Sequence, residues 1–280
     1  MKKAKKNINK KFDLIYKVIF IICFVTCLYS LLNIIRWEKD NRKSQEIVND
    51  LQNTTEINIS TISDDSSIQL INPENESEDS LYWHYTSMDM IDVDFNDLNK
   101  KNNDTRGWIQ VPGTNINYPF VQSKDNKYYL THSFEKKYTD AGWVFLDYRN
   151  DINNLSKNNI IYGHARLDKT MFGSLRNTLK NSWFNNKDNR IIKVSSENEN
   201  TLWQIFSIYH IKTESYYITV NFKNDNEFQK YIDKSLKRSI YNFNTNVTVD
   251  DTILTLSTCY GDHEKLVVQA KLIKKEIKNF

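Results

Sequence analysis

From Val18 to Ile35 the chain runs for eighteen residues without a charge (VIFIICFVTCLYSLLNII), and that run fixes what its N-terminal part can become. A helix of this length is about the minimum that crosses a hydrocarbon layer roughly 30 Å thick. Phe12, Leu14, Ile15 and Tyr16 extend the apolar character upstream, interrupted by Asp13 and Lys17. The run is long for a cleaved signal peptide, and no small-x-small cleavage site follows before Arg36 and Trp37. An uncleaved transmembrane anchor over residues 13–35 is therefore expected. Six lysines precede it (Lys2, Lys3, Lys5, Lys6, Lys10 and Lys11), so the positive-inside rule puts a basic tail, residues 1–12, in the cytoplasm and everything after about Arg36 outside. These lysines outweigh the net charge of +3 and leave the remainder slightly acidic, which argues against a nucleic-acid-binding face.

Beyond the anchor, residues 36–80 are rich in Asn, Asp, Glu, Ser and Thr with scattered apolar residues and no sustained period, the composition of a flexible tether. Order is expected to resume at Leu81, with a short helix over 88–98. From Trp108 the pattern changes to short β-rich runs, at 108–111, 116–121, 143–146, 159–162, 190–194, 202–211, 252–257 and 266–273. Helical stretches interrupt them around 172–179 and 226–240; in the second, Phe228, Tyr231, Ile232, Leu236 and Ile240 form one apolar face. Eight short strands with few helices predict a mostly β domain over 81–280, a closed or nearly closed barrel with peripheral helices.

Of three cysteines, Cys23 and Cys27 lie four apart in the apolar helix, where they are ordinary packing residues, and only Cys259 lies in the exported part. A lone exported thiol is a buried bystander, an intermolecular bridge or a reactive group. Cys259 ends a strand-like run, where a rigid element can present a nucleophile, although a half-buried structural cysteine fits that position as well. A reactive thiol with an ordinary pKa of about 8.5 needs a base or a cation nearby. His164 directly follows the strand-like 159–163 and Gly163; His263, four residues from Cys259 in a polar turn, is the second candidate. His84, His132 and His210 have no comparable setting, and no spacing points to a metal, nucleotide or other cofactor.

Three segments in this order resemble class B sortases: NIIYGHAR (159–166) running into MFGSL (171–175), TLSTC (255–259), and RGWIQVPGTNINYPF (106–120) continuing into VQSKDN (121–126). The resemblance covers roughly residues 85–275. It implies an eight-stranded sortase-type barrel on the outer face of a Gram-positive membrane, acting as a cysteine transpeptidase on secreted proteins that carry a C-terminal sorting motif. Cys259 would form a thioacyl intermediate, an amine of the peptidoglycan precursor would resolve it, and His164 would shuttle the proton. The family also uses an arginine at the start of the last strand. Here no Arg follows Cys259, and Lys265 stands before LVVQAKL (266–272). Lysine carries the charge without the planar fork, so Lys265, Arg166 or backbone N–H groups are the candidates for holding the oxyanion. By the same resemblance Asn126, Leu130 and Ser257 line the motif groove, with Tyr217 and Thr219 contributing from a longer loop and Arg166 beside His164. The departure at Lys265 keeps open a weakened, sortase-like motif-binding protein. A cysteine hydrolase is the other alternative, although a papain-like chain would have its Cys before its His.

Overall fold

The computed structural model describes residues 2–60, 67–212, 214–260 and 264–278, and of residues 2–13, 259 and 260 it describes the backbone alone. Two compact units divide the chain, 1–43 and 44–280. Helix α1 (Lys2–Thr54) supplies the whole of the first. From Leu14 to Ile35 its large apolar side chains are exposed all round, Phe20 at 70% and Tyr29 at 67%, and the helix is long and apolar enough to cross a membrane. Thr26 satisfies its hydroxyl on the Cys23 carbonyl at 2.9 Å.

In the second unit the strands are β1 (Ile57–Ser60), β2 (Ile68–Leu70), β3 (Met90–Val93), β4 (Thr105–Gln110), β5 (Asn117–Val121), β6 (Phe145–Leu146), β7 (Asn158–Tyr162), β8 (Ile191–Ser195), β9 (Glu199–Lys212), β10 (Ile253–Tyr260) and β11 (Glu264–Ile277). β4 to β11 are the eight expected runs in their expected order. They pair as β10-β7-β6-β5-β4-β8-β9-β11, and β11 pairs back onto β10 to close the barrel. Trp108, Phe120, Trp143, Leu256 and Val268 fill its interior. Closure removes the two free edges that an open sheet would present.

Helices α2 (Leu81–Thr86), α3 (Asn96–Lys101), α4 (Asn181–Asn185) and α5 (Asp225–Arg238) lie outside the wall. α5 starts where Asn224 accepts from the Glu227 N–H at 3.0 Å and Glu227 accepts from the Lys223 N–H at 3.1 Å, so two orphan donors are satisfied. It buries Phe228, Tyr231 and Ile232 against Phe206 and Ile253, which is why β10 is buried on both faces over 253–258. The expected face ends there, since Leu236 is 38% and Ile240 45% exposed. Residues 173–179 form a 3-10 helix.

Two expectations differ from the structure. Residues 88–98 contain β3 followed by α3 instead of one helix, because Met90, Ile91 and Val93 are buried on a strand that pairs with β1. The partner lies in the stretch read as a tether, so sequence-local pattern could not reveal it. Within that stretch, 44–54 is helical with Val48 and Leu51 buried, and β2 adds to β11 through Leu70 opposite Lys274. Its apolar residues are too few to form a period, yet each of these meets the barrel.

Glu76 fixes this segment to the wall through a buried ion pair with Lys271, their side chains 3% and 2% exposed. Removing one partner of such a pair costs about 3–5 kcal/mol, because the other charge stays buried alone. In a chain beginning at Ser44, Glu76→Gln is therefore expected to lower the urea-unfolding free energy by about that amount. A loss below about 1 kcal/mol, the surface-pair range, would contradict it.

Candidate active site

Three neighbouring strands bring together residues far apart in sequence. β10 runs parallel to β7 with Ile253 opposite Asn158 and Ser257 opposite Tyr162. The Gly163 N–H continues the ladder to the Ser257 carbonyl at 3.2 Å. Carrying this register two residues further sets His164 level with Cys259. On the other side β11 runs antiparallel, and there Cys259 is paired directly with Lys265. Directly opposed residues in such a pair have Cβ atoms about 4.5–5.5 Å apart. Cys259 is thus flanked at one level by His164 and Lys265, while His263 lies outside the described residues.

The loop that carries His164 is closed on itself. Phe172 donates its N–H to the His164 carbonyl at 3.0 Å, Ala165 bridges Met171, and the Met171 carbonyl accepts from Tyr118 Oη at 2.9 Å. Gly173 lies so close to the Arg166 carbonyl that a Cβ there would come within 2.1 Å of it. His164 Nε2 lies 2.8 Å from the Leu130 carbonyl oxygen. A carbonyl only accepts, so Nε2 carries a proton there and the neutral ring leaves Nδ1 as its basic nitrogen. Leu130 is thereby joined to the site through its backbone, and its side chain is 38% exposed. The other described histidines are engaged elsewhere, His84 with Asp188, His132 with the Tyr128 carbonyl and His210 with Glu264.

Lys265 lines an open cavity together with Tyr162, Glu214, Tyr217 and Ile218. Tyr217 is buried, and its hydroxyl lies 3.2 Å from that of Ser257, two residues before Cys259. Thr219 turns its hydroxyl onto the Tyr216 carbonyl at 2.8 Å. Arg166 is drawn away from solvent: its side chain is 9% exposed, with Nε 3.5 Å from Asp168 Oδ2. Asn126 donates to Asp147 Oδ2 at 2.9 Å and accepts from the Tyr148 N–H at 3.0 Å, so both ends of its amide are engaged.

Asp147, with Arg149 and Tyr162, escaped the sequence reading. Its carboxylate is wholly buried and accepts from Arg149 Nε at 2.8 Å, Arg149 Nη2 at 2.7 Å and Tyr162 Oη at 2.9 Å. Burial alone would raise this carboxyl, but the donors from Arg149, Tyr162 and Asn126 outweigh it and hold it below the usual carboxylate range. The same burial and the adjoining Asp147 charge push the Tyr162 phenol up. The only sequence signal was a polar D-Y-R-N stretch after a strand, which is indistinguishable from a solvated turn.

Residues 109–273 match the sortase domain family. The chain is 41% identical over 184 residues to sortase B of Staphylococcus aureus, covering 64% of this chain and 75% of that protein. A solved S. aureus sortase B–substrate complex superposes with a TM-score of 0.60 at 39% identity, over 64% of this chain and 84% of that one. A sortase B structure complexed with triglycine gives 0.61 at 40% identity, over 64% and 85%.

Gly142 tests the local geometry. It sits at φ +58°, and a Cβ there would come within 2.6 Å of the Tyr129 carbonyl, 2.7 Å of the Leu130 carbonyl and 2.9 Å of His164 Cδ2. Gly142→Ala is expected to cost at least the roughly 1–2 kcal/mol of a left-handed non-glycine residue and to displace the imidazole. An unchanged His164 ring NMR shift in a folded variant would contradict this packing.

Proposed function

Because the chain belongs to the sortase family, in its class B branch, and is a cysteine transpeptidase, we propose that Cys259 is its nucleophile, His164 its acid and base, and Lys265 its oxyanion cation. The observation that supports this assignment is the shared register of β7, β10 and β11, with His164 and Lys265 on either side of Cys259. The Cys259 thiol gives its proton to His164 Nδ1, the resulting thiolate attacks the scissile carbonyl, and charge develops on its oxygen opposite the Lys265 ammonium. Collapse breaks the C–N bond, and the departing amine takes a proton from the imidazolium of His164, leaving a thioacyl enzyme. An incoming amine attacks the thioester, its proton passes to His164, and the thiolate leaves with the C–S bond broken and an amide formed.

The substrate is a secreted protein with a C-terminal sorting motif lying along Asn126, Leu130, Ser257, Tyr217 and Thr219, with Arg166 holding the His164 loop through Asp168. An amine of the peptidoglycan precursor is the acceptor. The S. aureus complex with substrate and the sortase B complex with triglycine support these two partners. The alternatives of a motif-binding protein and a hydrolase gain no support from the matched proteins. Residues 13–35 hold the enzyme in the membrane with the lysine-rich tail in the cytoplasm and the catalytic unit outside.

Quenched sorting peptides offered with an amine to the anchored chain in intact protoplasts test the assignment. Turnover without permeabilisation is expected, with Cys259→Ala inactive and His164→Ala reduced by about 10²–10⁴-fold. Lys265→Ala should lose about 10²–10³ in kcat, and Lys265→Arg, which restores a fork of donors, should gain about tenfold in kcat/KM. Full activity in Cys259→Ala, or turnover only after permeabilisation, would contradict the assignment or the orientation.

A further inference from the structure

The two walls of the groove meet on one carboxylate. One wall is the segment after β5 that carries Asn126 and Leu130; the other is the segment after β9 that carries Tyr217 and Thr219. Asp147, just past β6, receives Asn126 Nδ2 from the first at 2.9 Å. It also grips Arg149 through Nε and Nη2, and the same Nη2 donates onward to the Ile218 carbonyl of the second wall at 2.9 Å. Tyr162 Oη joins at 2.9 Å from the strand that leads into His164.

The second wall is a single 3-10 turn, Tyr216–Ile218, whose carbonyls have few partners of their own. The Tyr217 and Thr219 carbonyls take both amide hydrogens of Asn158, at 3.1 and 2.9 Å, and the Ile218 carbonyl takes Arg149. Asn158 is itself fixed by Thr255, whose hydroxyl donates to Asn158 Oδ1 at 2.7 Å. Three successive carbonyls of this wall are thus held from β7, from the turn after β6 and, at Tyr217, from Tyr231 Oη of α5 at 3.2 Å. Of these anchors Arg149, through Asp147, is the one that also reaches Asn126.

We propose that Asp147 is a positioning residue for substrate recognition: it couples the Asn126–Leu130 wall to the Tyr217–Thr219 wall and so sets the width of the sorting-motif groove. The inference rests on the reading of these segments as the groove. It assigns no part in bond making to Asp147, which acts through Asn126, Tyr162 and Arg149. The isosteric amide introduced by Asp147→Asn would turn its N–H toward some of the donors that now converge there, and the walls would separate while the β10 and β7 registers stayed intact.

The test combines Asp147→Asn with Arg149→Lys, which keeps a cation beside the buried Asp147 carboxylate but lacks the fork that joins Asp147 to the Ile218 carbonyl. In both, KM for a sorting peptide should rise about tenfold or more with kcat changed less than about threefold. Alkylation of Cys259 by iodoacetamide should keep its wild-type rate, and amide exchange at 217–220 should quicken. The double variant should be no worse than Asp147→Asn, because both act through one junction. Unchanged KM and unchanged exchange in a folded variant would overturn the proposal, as would a fall in kcat and alkylation rate at constant KM. If the wild-type chain turned over no peptide, the functional reading would fail on its own. Exchange at 217–220 would then still decide whether Asp147 couples the walls.

Discussion

The parallel ladder between β7 and β10 is the constraint on which the rest of the molecule depends. Parallel neighbours need a long crossover, and here the chain spends residues 163–252 on it, including β8, β9 and α5. That excursion lays down two of the eight barrel strands before β10 returns beside β7. Because the ladder has a single register, it also sets His164 level with Cys259, and a slip of one residue would turn every side chain of β10 to the opposite face. β11 then closes the wall on β10 and brings Lys265 to the same level.

A buried polar chain pins that register. Gln269 on β11 donates to Tyr231 of α5 and, at 3.3 Å, to Thr255 on β10; Thr255 donates to Asn158 on β7. Buried polar groups left without partners cost about 1–3 kcal/mol each, so a slipped strand would lose several such bonds at once. The same Asn158 holds the Tyr217 carbonyl, so the network that pins the barrel register also fixes the turn after β9.

What was legible in the sequence follows from range. The eight barrel strands carry their own apolar runs, and α5 carries its own period and cap, so local pattern sufficed for them. β1, β2 and β3 owe their existence to partners elsewhere, which is why one region was read as a tether and another as a helix. The proposed pair, Cys259 and His164, stood out because their motifs are compact and because Cys259 is the one cysteine beyond the apolar run. Asn126 and Ser257 could be named, but not what they touch. Asp147 was invisible because its burial depends on side-chain donors from Asn126, Arg149 and Tyr162, two of which lie on other segments, and nothing near it in sequence records that burial.

The central claim is that Cys259 carries the acyl group at the junction of the three strands. Intact-mass and peptide-mapping spectrometry of the enzyme quenched in acid during turnover of a sorting peptide tests it most directly. The account predicts an acyl adduct on the peptide containing Cys259 that accumulates when the amine is withheld and disappears, with amide product formed, when triglycine is added. An adduct on another residue, or amide product formed at full rate with no adduct and no dependence on Cys259, would contradict it.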